Sequence, residues 1–307
     1  MDESPPATAL GELRILDFSR VLAGPFATMI LADFGADVIK VERPGVGDET
    51  RSWGPPHDEH GEATYFQAVN RNKDSVALDL AGDVGRRQAQ ELARTADVVV
   101  ENFRPGVMER LGLGYEELTA SHPALVYCSI TGFGAGSGAG LPGYDLLVQA
   151  LGGLMSITGD PDGEPQKVGV ALVDVLAGLF AAVGILAALR DRDRTGLGQR
   201  VEVDLLSSLL AGLVNQGSAY TIAGVVPTRL GNAHPSISPY ELYETESGEL
   251  VLAVGNDRQF AALCDVLGAP ELAGDPRFAG NGDRVAHRDE LRAELVARLA
   301  GAPATEW

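Results

Sequence analysis

The chain has 307 residues, of which 45% are hydrophobic, 22% charged and 6% aromatic, enough apolar surface for one large or two modest cored domains. Its formal net charge of −19 repels phosphate backbones and anionic bilayers, so neither nucleic acid nor membrane is an expected partner, and an anionic small ligand needs locally gathered basic residues. Cys128 and Cys264, far apart in unrelated contexts, make no disulfide framework and no zinc pattern, which fits a reducing, cytoplasmic setting; the opening MDESPPATALGEL lacks the basic and apolar stretches of a secretory signal.

In chain order, LRILDFS (13–19) reads as a strand and 25–35 as a helix with Pro25 in its first turn. A second strand at 37–44 ends on Pro44. A third is expected at 75–80, an amphipathic helix at 84–96, and a fourth strand at 97–103 with a short helix after Pro105. A fifth strand at 124–131 runs into a glycine-rich loop, 132–143, and then a helix at 144–156. The apolar run VGVALVD (168–174) and the stretch 175–190 read as a strand plus a helix, and 199–208 alternates before turning helical. Strands alternating with helices predict an α/β domain with a mainly parallel sheet. After about residue 222 the texture changes to a Gly- and Pro-rich loop. A hairpin at 241–255 turning on Ser247-Gly248, and two helices beyond it, indicate a smaller α+β domain. The closing APATEW resembles the start of another helix, so the protein is expected to continue past it.

Asp174 is the residue that most needs an explanation. It is the one charge between Lys167 and Arg190. Burying a lone carboxylate costs several kcal/mol or forces it to take up a proton. It therefore caps the following helix, makes an ion pair, or does chemistry. The stretch 168–189 is long enough to span a bilayer, but it is rich in Ala and Gly and carries Asp174, which argues for a core element. Its small residues, Ala177, Gly178, Ala181 and Ala182 among them, let another backbone approach closely. GAGLPG (138–143) matches G-x-G-x-x-G only formally, because it lies past the strand and Pro142 removes an amide. His57 and His60 lack a third ligand and read as a solvated loop, so no metal site is expected. Arg43, Arg71, Lys73 and Arg104 gather near strand ends, with Arg110 one short helix away, a candidate pocket for an anionic cofactor such as a nucleotide phosphate.

These blocks together resemble the family III coenzyme A transferases, the formyl-CoA transferase and carnitine CoA-transferase group. RILDFSRVLAGPFATMILADFGADVIKVERPGVGDETR (14–51) looks like that family's opening. YFQAVNRNKDSVALDL (65–80), DVVVENFRPGVMERLGLGYEEL (97–118) and GILAALRDRDRTGLGQRVEVDLLSS (184–208) resemble its later blocks, and GNAHPSISPYELYETESGELVLAVGND (231–257) its small domain.

The resemblance implies that Asp174 is the nucleophile. It would attack a donor thioester to give an aspartyl anhydride, then an aspartyl-CoA thioester that an acceptor carboxylate resolves. It implies that Val21 and Leu22 lie beside the active site and that Arg43, Leu78, Asn102, Phe103 and Arg110 hold CoA. Asp145 falls on an acidic position near the nucleophile, and Gly231, Asn232 and His234 on a loop facing the acyl groups.

There are departures. Ala81 and Pro142 stand where some members carry lysines to CoA phosphates. Leu22 replaces a Gln of formyl-CoA transferase, against formyl-CoA and oxalate as the substrate pair. GNAHPS replaces a glycine run. The family also contains α-methylacyl-CoA racemases, whose His would fall at Tyr144, a poor base near neutral pH.

The expectation is a cytoplasmic CoA-transferase moving CoA from an acyl-CoA donor to a carboxylic acid acceptor. CoA and acyl-CoA are its substrates, with no tightly bound cofactor. A racemase-type enzyme or a silent CoA-binding protein is the alternative. The expected architecture is a Rossmann-like CoA-binding domain (1–205), a linker (206–230) and a small α+β domain (231–307) lacking the family's C-terminal return to the large domain. The resemblance also implies an interlocked homodimer. Helix amides at the base of Asp174 would keep it ionised at neutral pH.

Overall fold

The computed structural model describes residues 8–307. These form two compact units, one running through Leu154 and resuming over Lys167–Val225, the other made of Met155–Gln166 and Val226–Trp307.

The first unit begins β1 (Arg14–Asp17), α1 (Ala23–Asp33), β2 (Asp37–Glu42), α2 (Thr64–Asn70), β3 (Lys73–Ala77) and α3 (Asp83–Arg94). It continues through β4 (Val98–Glu101), α4 (Val107–Arg110), α5 (Tyr115–Thr119), β5 (Val126–Thr131) and α6 (Asp145–Leu151). It closes with α7 (Leu172–Thr195), β6 (Arg200–Asp204), α8 (Leu205–Gly212) and α9 (Val214–Ala223).

The six strands are all parallel, in the order β3-β2-β1-β4-β5-β6. Buried central strands of a parallel sheet are apolar on both faces, which is why β4 reads VVVE without alternation. Successive residues still point to opposite sides. Ile15, Val98, Val100, Val126 and Cys128 pack under α1 and α7. Leu16, Val99 and Tyr127 pack on the other side, with Ala89 and Ala93 of α3 and Leu118 of α5.

The small residues of α7 do what their size allows. A Cβ at Gly178 would lie 2.7 Å from the Ala23 carbonyl oxygen, so the backbones of α7 and α1 touch there. Among the described residues α7 is the one helix long and apolar enough to cross a bilayer; its Val173, Ala177, Ala181 and Ile185 are buried in this core.

The second unit pairs β7 (Tyr240–Glu244) with β8 (Glu249–Ala253) as the expected antiparallel hairpin. Helices α10 (Asp257–Val266), α11 (Glu271–Gly274), α12 (Asn281–Ala286) and α13 (Arg288–Leu299) follow. Tyr243, Phe260, Phe278, Leu291, Leu295 and Leu299 form its core. Arg284, fully buried there, donates to the Ser238 and Phe278 carbonyls and stacks on Phe260.

The structure adds short helices the sequence reading did not assign, α5, α11 and α12 among them, and departs from it more substantially in three places. The stretch 206–230, read as a linker, holds most of α8 and all of α9, because LLSSLLAG is apolar and Asp204 caps it by accepting from Ser207 N. α2 stands where no element was assigned, since the run is only seven residues long and shows no clear period. The run 168–174 is not a strand: α7 already starts at Leu172, so Asp174 lies inside the helix and not before it.

Candidate active site

All six strands of the parallel sheet end at one edge. In this strand order the chain leaves β1 and β4 in opposite directions, opening the crevice in which such sheets place ligands. Asn102, just past β4, ties the two lips together. Its Oδ1 accepts from Arg20 N at 2.9 Å and its Nδ2 donates to Arg20 O at 2.7 Å. The Arg20 guanidinium lies 4.9 Å from the centre of the Phe103 ring and pairs with Glu49 at 2.7 Å.

Several cavities open on this edge around Phe103, three of which matter for Asp174 and the arginines. One of about 230 Å³ has apolar walls (Phe18, Leu78, Leu80, Leu111) with Arg20 and Arg43 among its lining residues. A second of about 270 Å³ is lined by Val21, Leu22, Arg104, Tyr144, Asp145 and Asp174. A third of about 100 Å³ joins Asn102, Arg104 and Gly143 to Asp174.

Asp174 is the third residue of α7. The N-cap position is Ala171, which has no side chain to offer. The cap comes from another helix: Asp145 Oδ1 accepts from Val173 N at 2.8 Å and Asp174 N at 3.2 Å. The expectation that Asp174 itself caps a helix is therefore corrected. The Asp174 carboxylate accepts no hydrogen bond and makes no ion pair among the described residues. Burial, and then the neighbouring Asp145, push its pKa up to about 7. The expectation that helix amides keep it firmly ionised fails for the same reason, because Asp145 takes the amides and adds its own negative charge.

Asp145 reaches this position because the loop before α6 is pinched shut. A Cβ on Gly132 would lie 2.4 Å from the Gly143 Cα, so only glycines let the loop's two ends cross.

The turn between β1 and α1 is strained and heavily braced. Val21 sits at φ 69°, a left-handed conformation that is costly for a β-branched residue. Its N–H points to the Asp48 carboxylate at 3.3 Å. Asp48 is buried, pairs with Lys40 at 2.9 Å and caps the short 3-10 helix Glu49–Ser52 through Thr50 N. Lys40 also donates to the Ser19 carbonyl at 2.8 Å. Beneath lies a second buried pair, Lys73 with Asp17 at 3.1 Å. Burial alone would raise the Asp17 pKa, but Lys73, Lys40 and the Ser19 and Thr28 hydroxyls hold it at about 2.

The structure brings Val21, Leu22, Asn102, Phe103, Tyr144, Asp145 and Asp174 to this edge, with Arg43 and Leu78 in the neighbouring apolar cavity. Ala81 and Pro142, the departures from the family's lysines, line the first and second cavities. Arg110 is exposed at the end of α4 and lines none of the three. Arg71 is spent on Asp33, and Lys73 is buried beneath the site. In the second unit, Gly231 adopts φ 59° and donates to the Gly159 carbonyl. Asn232 is exposed, and His234 Nδ1 accepts from Ser236 N at 3.0 Å.

Sequence reasoning missed Arg20, which lines two cavities, and Lys40 and Asp48, whose roles arise only from long-range pairing. It also missed Tyr65 on α2. Burial first, then Asp174 and Asp145, raise the pKa of that phenol, and its ring meets Trp53 edge-on at 5.2 Å. No spacing rule in the sequence points to these residues. What the edge offers chemically is a carboxylate of poised ionisation, an apolar neighbouring cavity and uncommitted guanidinium groups.

Comparison with known proteins agrees. The model of CoA-transferase family III matches residues 10–307. The chain is 49% identical over 297 residues to succinate–glutarate CoA-transferase of Agrobacterium fabrum, covering 95% of this chain and 74% of that one. It is 45% identical over 312 residues to acetyl-CoA:oxalate CoA-transferase of Acetobacter aceti, covering all of this chain and 80% of the relative. A crystal structure of a CaiB/BaiF family protein from Brucella suis superposes with a TM-score of 0.83 at 46% identity, over 95% of this chain and 78% of that one. On sequence and fold, this chain belongs to CoA-transferase family III.

Proposed function

We propose that the enzyme transfers CoA from a dicarboxylic acyl-CoA, with succinyl-CoA as the donor of choice, to a dicarboxylic acid through covalent intermediates on Asp174. The observation that carries this reading is the placement of a carboxylate with no cationic partner in a cavity at the switch point, beside an apolar cavity rimmed by arginines. Asp174 Oδ attacks the donor's thioester carbon and expels CoA thiolate, leaving a mixed anhydride. The thiolate attacks the aspartyl carbonyl, releases the donor acid and forms an aspartyl-CoA thioester. The acceptor carboxylate attacks that thioester, forming a new anhydride and freeing the thiolate again. Thiolate attack on the acceptor's carbonyl then yields acceptor-CoA and restores the aspartate.

In this reading CoA lies against Leu78 and Phe103, with Arg43 and Arg20 meeting its phosphates. Arg110 serves the phosphates only after a rotation of its side chain. Leu22 puts an apolar side chain in the otherwise polar cavity of Asp174, which favours the methylene chain of succinate or glutarate over oxalate. No resident cofactor takes part in these steps.

Exposed Leu146 and Leu151 on α6, Phe180 and Val183 on α7 and Ile222 on α9 support a homodimer that covers them. The charge and the cysteine usage support a cytoplasmic enzyme.

The test is a panel of dicarboxylates with succinyl-CoA as donor, run on the wild type and on Asp174→Ala. Transfer to the C4–C5 acids in the wild type, lost by at least about three orders of magnitude in the variant, is expected. Wild-type activity retained by Asp174→Ala would overturn the mechanism.

A further inference from the structure

Asp145 can cap α7 only if something fixes Asp145. The residue that does so is Gln149, one turn further along α6 and fully buried. Its Nε2 donates to Asp145 Oδ2 at 2.6 Å, while its Oε1 accepts from Val168 N at 2.9 Å. The amide's orientation is dictated by these partners, since a carboxylate needs a donor and a backbone N–H needs an acceptor. Asp145 thus accepts three hydrogen bonds, two from the first turn of α7 and one from Gln149. Gln149 in turn ties α6 to the chain entering α7. A continuous set of contacts runs from Val168 through Gln149 and Asp145 to the amide of Asp174.

From this geometry we infer that Gln149 is a positioning residue for the nucleophile, acting through Asp145. The inference rests on Asp174 being the nucleophile. The role is not capping alone, because the same contacts hold one carboxylate beside another. Two effects meet at Asp145. It occupies the helix amides that would otherwise stabilise the Asp174 anion, and it places a negative charge next to that anion. The other charged or titratable groups facing Asp174 are Arg104 beyond β4, Arg20 and Glu49 on the β1 side, Tyr144 before α6 and Tyr65 on α2. None of these hydrogen-bonds Asp145 or Gln149. Releasing Asp145 therefore changes the field at Asp174 through the α6 contacts without touching the arginines.

Gln149→Leu removes the donor to Asp145 and keeps the site apolar and filled. Asp145 loosens, the first-turn amides become available to Asp174, and the repulsion falls. The acid limb of the kcat/KM profile should then move to lower pH, while kcat falls about tenfold from lost aim and lost basicity. KM for the acyl-CoA should stay within about twofold, because the apolar cavity is untouched. Gln149→Met retains the length of the side chain but likewise removes the donor to Asp145. It should lower kcat about as much, and it carries the test alone if the leucine variant does not fold.

Asp174→Asn is run alongside. If it keeps wild-type activity, the nucleophile reading fails and the Gln149 role falls with it. If it is inactive while either folded Gln149 variant keeps the wild-type kcat and the wild-type acid limb, the Gln149 proposal alone is overturned.

Discussion

Two carboxylates at the same sheet edge have opposite fates. Asp17 ends β1 and Asp174 lies in the first turn of α7. Asp17 is fully buried and Asp174 partly so, and burial alone would raise both. Around Asp17 the chain assembles Lys73, Lys40 and two hydroxyls, and the acid is held at about 2. Around Asp174 it places no cation in contact and adds Asp145, and the acid is driven to about 7. Cations are not scarce at this edge, since Arg20 and Arg104 line the same cavity. The difference is one of placement. The region around Asp17 is bonded throughout, and the region around Asp174 leaves its carboxylate with no hydrogen bond or ion pair among the described residues. Structural carboxylates are bonded to completion, whereas a nucleophile must keep an open lone pair.

The largest test of that contrast is Lys73→Met. It leaves Asp17 buried without its ion-pair partner, so denaturant melts should show a loss of about 3–5 kcal/mol. Arg71→Ala, which breaks the partly exposed pair with Asp33 at the end of α1, should cost less than about 1 kcal/mol. Comparable losses in the two would mean that the buried pair is not special.

Next comes pH. A nucleophilic Asp174 must be ionised, so kcat/KM should climb about tenfold per pH unit up to about 7 and level off above it. Asp145→Asn removes the neighbouring charge and should move that limb to lower pH. A limb unchanged in Asp145→Asn would remove Asp145 from the account.

The smallest effect is on stability. The folded-state value of Asp174 lies above its ordinary 3.8, so the folded chain binds this proton more tightly than the unfolded chain does. Its contribution to stability is therefore lost as pH rises from 3.8 to about 7. Asp174→Asn should raise Tm at pH 8 by roughly 2–4 °C and bring no gain near pH 4. Asp17→Asn, with its depressed value, should lower Tm at pH 8.

The scaffold was largely legible in the sequence, for a physical reason. A parallel sheet between helices forces apolar strands to alternate with amphipathic helices, and LRILDF, DVIKVE and DVVVE state that pattern directly. Asp174 stood out because a lone charge in an apolar run always needs a reason. Its role as a cap was misread, because the true cap comes from Asp145, 29 residues earlier, and no local rule reports a helix capped from elsewhere. Arg71 and Lys73 looked like ligand cations by position alone. Only the pairing of β3 with β2 shows that Lys73 points under the sheet edge at Asp17. Lys40, Asp48 and Gln149 escaped notice for the same reason: each acts through a partner that the fold, and not the spacing, brings near.

The central claim is that Asp174 becomes covalently bonded during turnover. Incubating the enzyme with succinyl-CoA, trapping with hydroxylamine and mapping peptides by mass spectrometry tests it directly. The account predicts a hydroxamate on Asp174 and none on Asp17 or Asp145. Active turnover with no modified carboxylate, or with the label on another acid, would contradict it.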